Sequence, residues 1–169
     1  MDEDFTEAFE PVVGTSVTLR PLHPADRDIE FAFFSGLSPQ TRSNRLLGGT
    51  RAITREYIDS LVTVDYSRNM ALAATTMLGG GETLIGVARY VRENGDAEFA
   101  IVVADAWQGR GIGRRLLAKL IAVARRRGLQ RLYGDILRIN QPMLQLVQKL
   151  GFKLGPHEDP TLTRATLEL

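Results

Sequence analysis

The stretch "VVADAWQGRGIGRRLLAKLIAVARRRG", Val102 to Gly128, decides the fold. An apolar run ends near Ala104, and a loop holding Gly109, Gly111 and Gly113 follows. Ile112, Leu116, Leu117, Leu120, Ile121 and Ala124 then recur at helical spacing, which predicts one buried stripe on a helix from about Gly111 to Arg127. Gly128 suits a left-handed cap at its end. Glycine at a helix start weakens the helix unless the backbone needs freedom or a ligand must come close. The first N–H groups of a helix have no internal partner and carry the positive end of its dipole. Glycines let an anion reach those groups without a Cβ in the way. Between Gln108 and Arg131 the charged residues are Arg110, Arg114, Arg115, Lys119, Arg125, Arg126, Arg127 and Arg131, with no acid. A phosphate-bearing ligand at this helix start is the direct reading. The competing one is a glycine turn before a solvated basic helix.

Working outward, "AEFAIVVAD" before the loop reads as a strand, and "NGD" at Asn94 to Asp96 signals a hairpin to "TLIGVARYVRE". "GGGE" at Gly79 turns back to "MALAATTML", so three strands should form an antiparallel meander. Upstream, "SVTLRPL" is a short strand, and "HPADRDIEFAFFSGL" is a helix with Pro24 in its first turn. Ser38 and Thr54 cap two further helices, the second burying Ile58, Leu61 and Val62. After the Gly/Arg helix come a strand "QRLYGDIL", a helix opened by Asn140 and stopped by Gly151, and two strands in the tail. The expected order is βααα–βββ–α–β–α–ββ, an α/β chain whose mixed sheet contains a βαβ unit.

A length of 169 residues predicts one domain, here 15–169, preceded by a flexible acidic segment 1–14. The N-terminus lacks the apolar core of a signal peptide, and no run approaches the roughly 18 apolar residues of a membrane span. The expectation is a cytoplasmic protein. With no cysteine, disulfides, Cys-based zinc sites and a cysteine nucleophile are excluded. His23 and His157 are far apart in turn contexts, so no metal is expected. A formal net charge of +1 argues against nucleic acid or a membrane surface as partner.

The loop does not match a P-loop, and Arg114 stands where a dinucleotide fingerprint requires its third glycine. Its spacing is Gln108-x-x-Gly111-x-Gly113. That motif, after an apolar strand and before a helix, resembles the acetyl-coenzyme A loop of the GNAT N-acetyltransferases. The resemblance continues through "QRLYGDIL", Asn140 and "QKLGF", and runs from roughly Val17 to Leu169. "LSPQTR", "VDYSRNMALAA", "GVARYV" and "AEFAIVVADAWQGRGIG" are most similar to the acetyltransferase domain of bacterial Pat-type protein-lysine acetyltransferases.

The resemblance implies a mostly antiparallel central sheet with a splayed central strand pair and flanking helices. It implies acetyl transfer from acetyl-CoA to a primary amine by direct attack on the thioester, with a protein lysine, such as that of an acyl-CoA synthetase, as acceptor. A small-molecule amine, or a non-catalytic acetyl-CoA sensor, are the alternatives. The protein would be a monomer or homodimer. The resemblance assigns the diphosphate to the amides of Gln108, Gly109, Arg110, Gly111, Ile112 and Gly113, with Arg114 close by. It gives the thioester oxygen to the N–H of Val102 or Val103. Asn140 reads equally as a cofactor contact and as a helix cap. Glu98, leading into the apolar strand, matches the position of the Pat-type catalytic base; spacing alone would make it a solvated strand-end residue. Val147 stands where many relatives carry the tyrosine that protonates the thiolate, which leaves Tyr133 on the neighbouring strand as a weaker substitute.

Overall fold

A computed structural model describes residues 5–169. Eight strands form one sheet: β1 (Glu7–Val12), β2 (Thr15–Pro21), β3 (Met70–Leu78), β4 (Gly81–Glu93), β5 (Asp96–Val103), β6 (Arg131–Leu137), β7 (Lys153–Gly155) and β8 (Leu162–Glu168). Their spatial order is β1-β2-β3-β4-β5-β6-β8-β7. Every neighbouring pair is antiparallel except β5–β6, which is parallel. A parallel pair needs a long crossover, and α4 (Ile112–Arg126) provides it. The other helices are α1 (Arg27–Ser35), α2 (Pro39–Arg45), α3 (Arg55–Val62) and α5 (Gln141–Lys149).

Two apolar clusters flank the sheet. On one face the whole predicted α4 stripe is buried, packed with Phe99, Ile101, Ile136, Val147 and Phe152. On the other, Phe33 and Phe34 of α1 and Ile58, Leu61 and Val62 of α3 cover Ala71, Val87 and Val102. Strand alternation thus sends Val102 to the α1–α3 side and Ile101 to the α4 side. Gly128 adopts φ +70°, the left-handed cap that the sequence predicts. Among the described residues no helix is long and apolar enough to cross a membrane.

Two expectations change. The helix predicted from His23 opens instead with a 3-10 turn, Pro24–Asp26, and becomes α-helical only at Arg27. The His23 N–H donates to Asp26 Oδ2 (2.7 Å) and the Ala25 N–H to His23 Nδ1 (3.0 Å), which holds the tighter turn. The segment expected to be flexible before Thr15 contains β1, paired with β2. Its inward residues explain why: Phe5 is buried, Phe9 packs on the core, and Glu7 meets Arg115 (3.3 Å) and Lys119 (2.9 Å) of α4. Pro11 is tolerated because β1 is an edge strand. Residues 1–4 of that segment lie outside the described residues.

Candidate active site

The parallel pairing of β5 and β6 covers only Asp96–Glu98 against Arg131–Tyr133. Beyond Glu98 the two strands part, and a cleft of about 940 Å³ opens between them. Phe99 to Val103 form one wall of it; Asp135, Ile136 and α5 form the other. Gly134 allows the divergence from below. A Cβ there would stand 2.7 Å from Cε1 of Phe99, so only glycine lets that ring lie against β6 and on to Phe152, 5.1 Å away.

The Gly/Arg loop closes one end of the cleft. Gly109 and Gly111 sit at φ +74° and +82°, a conformation that side chains with a Cβ resist. Gly111 opens α4 without any side-chain cap. The first bond of the helix runs from the Arg115 N–H to Gly111 O (3.1 Å). Hence the six amides from Gly109 to Arg114 have no acceptor among the described residues. The predicted cradle began one residue earlier, at Gln108. That N–H donates to Asp105 O (3.3 Å) and completes a 3-10 turn, which leaves the run of amides without an acceptor starting at Gly109.

Side chains around the loop divide sharply. Arg114 lines the cleft. Arg110 stacks over the Trp107 ring, 5.0 Å from its centroid, which anchors the loop. Ile112 is a buried core residue and offers only its backbone. Arg126 and Arg127 lie over the Phe5 ring at the far end of α4, roughly 20 Å away at about 1.5 Å per residue. They serve that end of the helix and not the loop. The Gln108 side chain folds inward: Nε2 donates to Thr41 Oγ1 (3.1 Å) and to Val103 O (3.0 Å).

The ladder between β4 and β5 separates Val102 from Val103. The Ala104 N–H donates to Ile85 O (2.8 Å), toward β4. Strand residues alternate in the neighbour they bond. Val102 therefore also turns its N–H to β4, whereas Ile101 and Val103 turn theirs to the gap beside β6. Of the two amides that the sequence left open, Val103 is the one facing the cleft.

Glu98 stands at the fork itself, the last residue of β5 paired with β6. It lines the cleft and is exposed, as its place at the start of an apolar strand after a hairpin suggests. No hydrogen bond or ion pair engages its carboxylate among the described residues. Its neighbours are engaged. The Tyr133 hydroxyl donates to Glu93 Oε2 (2.8 Å), and that bond first, then burial, pushes its pKa up to about 12. Asp135 is held by Arg164 (2.9 and 3.1 Å) and His157 (3.2 Å), and although burial works the other way, these partners keep its carboxyl below the usual range. His157 Nδ1 accepts from the Asp159 N–H (2.9 Å), so neither ring nitrogen is free. Asn140 caps α5, its Oδ1 accepting from the Met143 N–H (3.4 Å), and also lines the cleft. Val147 is fully buried in the core, so no proton donor occupies that position.

A parallel strand pair splays here beside a glycine loop that opens a helix without a side-chain cap. The sequence matches the acetyltransferase (GNAT) family over residues 51–152. The chain belongs to the GNAT acetyltransferases. It is 37% identical over 141 residues to Acetyltransferase PA5475 of Pseudomonas aeruginosa, covering 82% of this chain and 76% of that one. It is 34% identical over 136 residues to Acetyltransferase Pat of Mycolicibacterium smegmatis, covering 79% of this chain but only 40% of that longer protein. In structure it is similar to the GNAT domain of S. lividans PAT, with a TM-score of 0.85, 25% identity, and coverage of 98% and 97% of the two chains. Acetyl-CoA is the acyl donor of this GNAT enzyme. The site fits that donor. Six amides without a partner among the described residues, with Arg114, suit its diphosphate, the gap between β5 and β6 suits the pantetheine arm, and the Val103 N–H lies along that gap. Among the described residues no group of three or more His, Asp or Glu side chains is placed to hold a metal.

Proposed function

We propose that this GNAT enzyme acetylates a protein lysine, with Glu98 as the general base and the amine attacking the thioester directly. The observation that supports it is the position of Glu98, an unengaged carboxylate at the fork where β5 leaves β6. A lysine ammonium has a pKa of about 10.4, so at neutral pH the acceptor arrives protonated and a base must take that proton, directly or through water. The N–H of Val103 opposes the charge that grows on the thioester oxygen. With Val147 in the core and Tyr133 bound to Glu93, the thiolate departs without a dedicated protein acid. The ammonium sheds two protons: the first passes through Glu98 and water to solvent before attack, the second goes to Glu98 as the amide forms; the acetyl group moves from sulfur to nitrogen, and CoA leaves as the thiolate.

The protein-lysine choice rests on the similarity to Pat and to the S. lividans PAT domain. A thiol-release assay with acetyl-CoA against lysine peptides, acyl-CoA synthetases and small amines tests it. Turnover of the protein or peptide acceptors is expected; turnover of small amines alone would overturn the choice.

A further inference from the structure

We propose that Asp105 is a positioning residue that locks α2, the acceptor-side wall of the cleft, to the diphosphate loop, so that donor binding fixes the surface on which the acceptor docks. The sequence of α2, PQTRSNR, contains no aliphatic or aromatic residue besides its proline, and Thr41 is its only buried side chain. A seven-residue helix without an apolar stripe is not held by propensity or by core packing. Its attachments are polar. Asp105 accepts from the Ser38 N–H (2.9 Å) on Oδ2, and from Ser38 Oγ (2.6 Å) and Thr41 Oγ1 (2.7 Å) on Oδ1. Thr41 in turn accepts from Gln108 Nε2, whose second bond goes to Val103 O. Arg42 Nη2 adds bonds to Phe34 O (3.0 Å) and Ser35 O (3.5 Å).

The placement of this network gives it a role beyond holding a helix. Asp105 begins the turn that delivers the free amides of Gly109 to Arg114, four residues on. Val103, whose carbonyl Gln108 grips, turns its amide to the donor's gap. On the other side, α2 brings Gln40, Asn44 and Arg45 to the cleft. One carboxylate therefore joins the element that holds the donor to the element that faces the acceptor. Because such coupling is reciprocal, acceptor binding tightens the donor by the same factor.

The inference rests on the reading of residues 109–114 as the diphosphate cradle, and hydrogen exchange separates the two. Acetyl-CoA is added to wild-type protein, to Asp105→Asn and to Thr41→Val, and amide exchange is followed at the loop and along α2. In wild type, acetyl-CoA should slow exchange at 109–114 and, at least tenfold, along α2. In Asp105→Asn the loop should still be protected while the α2 response falls to less than half. Thr41→Val keeps the side-chain volume and removes the Thr41 bonds to Asp105 and Gln108 while Ser38 keeps its own, and it should lower the α2 response in part in a protein whose thermal transition is still cooperative. Loop protection with an undiminished α2 response in both variants would overturn the lock alone. No loop protection in wild type would overturn the cradle, and the lock with it.

Discussion

Glu98 differs from the ionisable groups around it in the bonds they make. Glu93, Asp135 and Tyr133 are near it in the sheet, yet each is already bound to a hydroxyl, an arginine or a second carboxylate. A base must be free to take a proton, and among the described residues around the fork Glu98 is the carboxylate with no hydrogen bond or ion pair. Glu98→Gln keeps the shape and removes the basicity, so kcat should fall by roughly 10²–10⁴-fold. Acetyl-CoA affinity by calorimetry should stay within about twofold, since the donor is held elsewhere; equal loss of both would mean that Glu98 shapes the site instead. The adjacent Phe99 depends on Gly134. Gly134→Ala puts a methyl group against backbone-anchored aromatic carbon, with a cost of about 1–3 kcal/mol from overpacking. Urea unfolding measures that cost, and an unchanged midpoint would show that the ring has room to move.

At the scale of elements, the loop separates what the sequence makes legible from what it hides. The α4 stripe and its Gly128 cap follow from local periodicity and backbone freedom, so they are readable from Ile112 to Gly128 alone. The free amides are readable too, though the sequence does not show that Gln108 spends its own N–H on Asp105. The Ser38–Asp105 contact spans 67 residues and joins two common loop residue types, so no spacing announces it. The strand β1 was hidden for another reason: a glutamate at an inward position breaks the apolar alternation, and only α4's cations make that glutamate welcome. The splay of β5 from β6 was legible through family resemblance and not through periodicity, since both strands read as ordinary apolar runs. Gly111→Val tests the loop as an element. The left-handed backbone costs a residue with a Cβ about 1–2 kcal/mol, and the space beside Gly111 is open, so the fold should survive. The added branches would stand before the amides, and acetyl-CoA affinity should drop at least tenfold by calorimetry; unchanged affinity would remove the cradle.

Across the whole molecule, pH acts on the two faces of the sheet with opposite sign. On the α4 face, Glu7 of β1 lies against Lys119 and Arg115, and although its partial burial works the other way, their hydrogen bonds and charges hold its carboxyl below the usual range. On the α1 face, Glu30 is fully buried, its carboxylate 3.8 Å from Arg89 and without a hydrogen bond among the described residues, and burial pushes its pKa up to about 7. Arg89 and Arg45 oppose that rise, and Asp26 adds to it. A lowered carboxyl contributes stability that is present above the unfolded value of 4.5 and is lost as pH falls through the folded one. A raised carboxyl does the reverse: its contribution is complete below 4.5 and is lost as pH rises toward about 7. Between those values the loss is on the order of 3 kcal/mol at about 1.4 kcal/mol per unit. The native state should therefore gain stability from acid up to about pH 4.5 and decline from there toward neutrality. Glu30→Gln removes the second limb and leaves the first. Thermal unfolding from pH 4 to 8 should show a Tm that falls above pH 5 in wild type and stays level in the variant. A parallel decline in both would place the titrating group elsewhere than under α1.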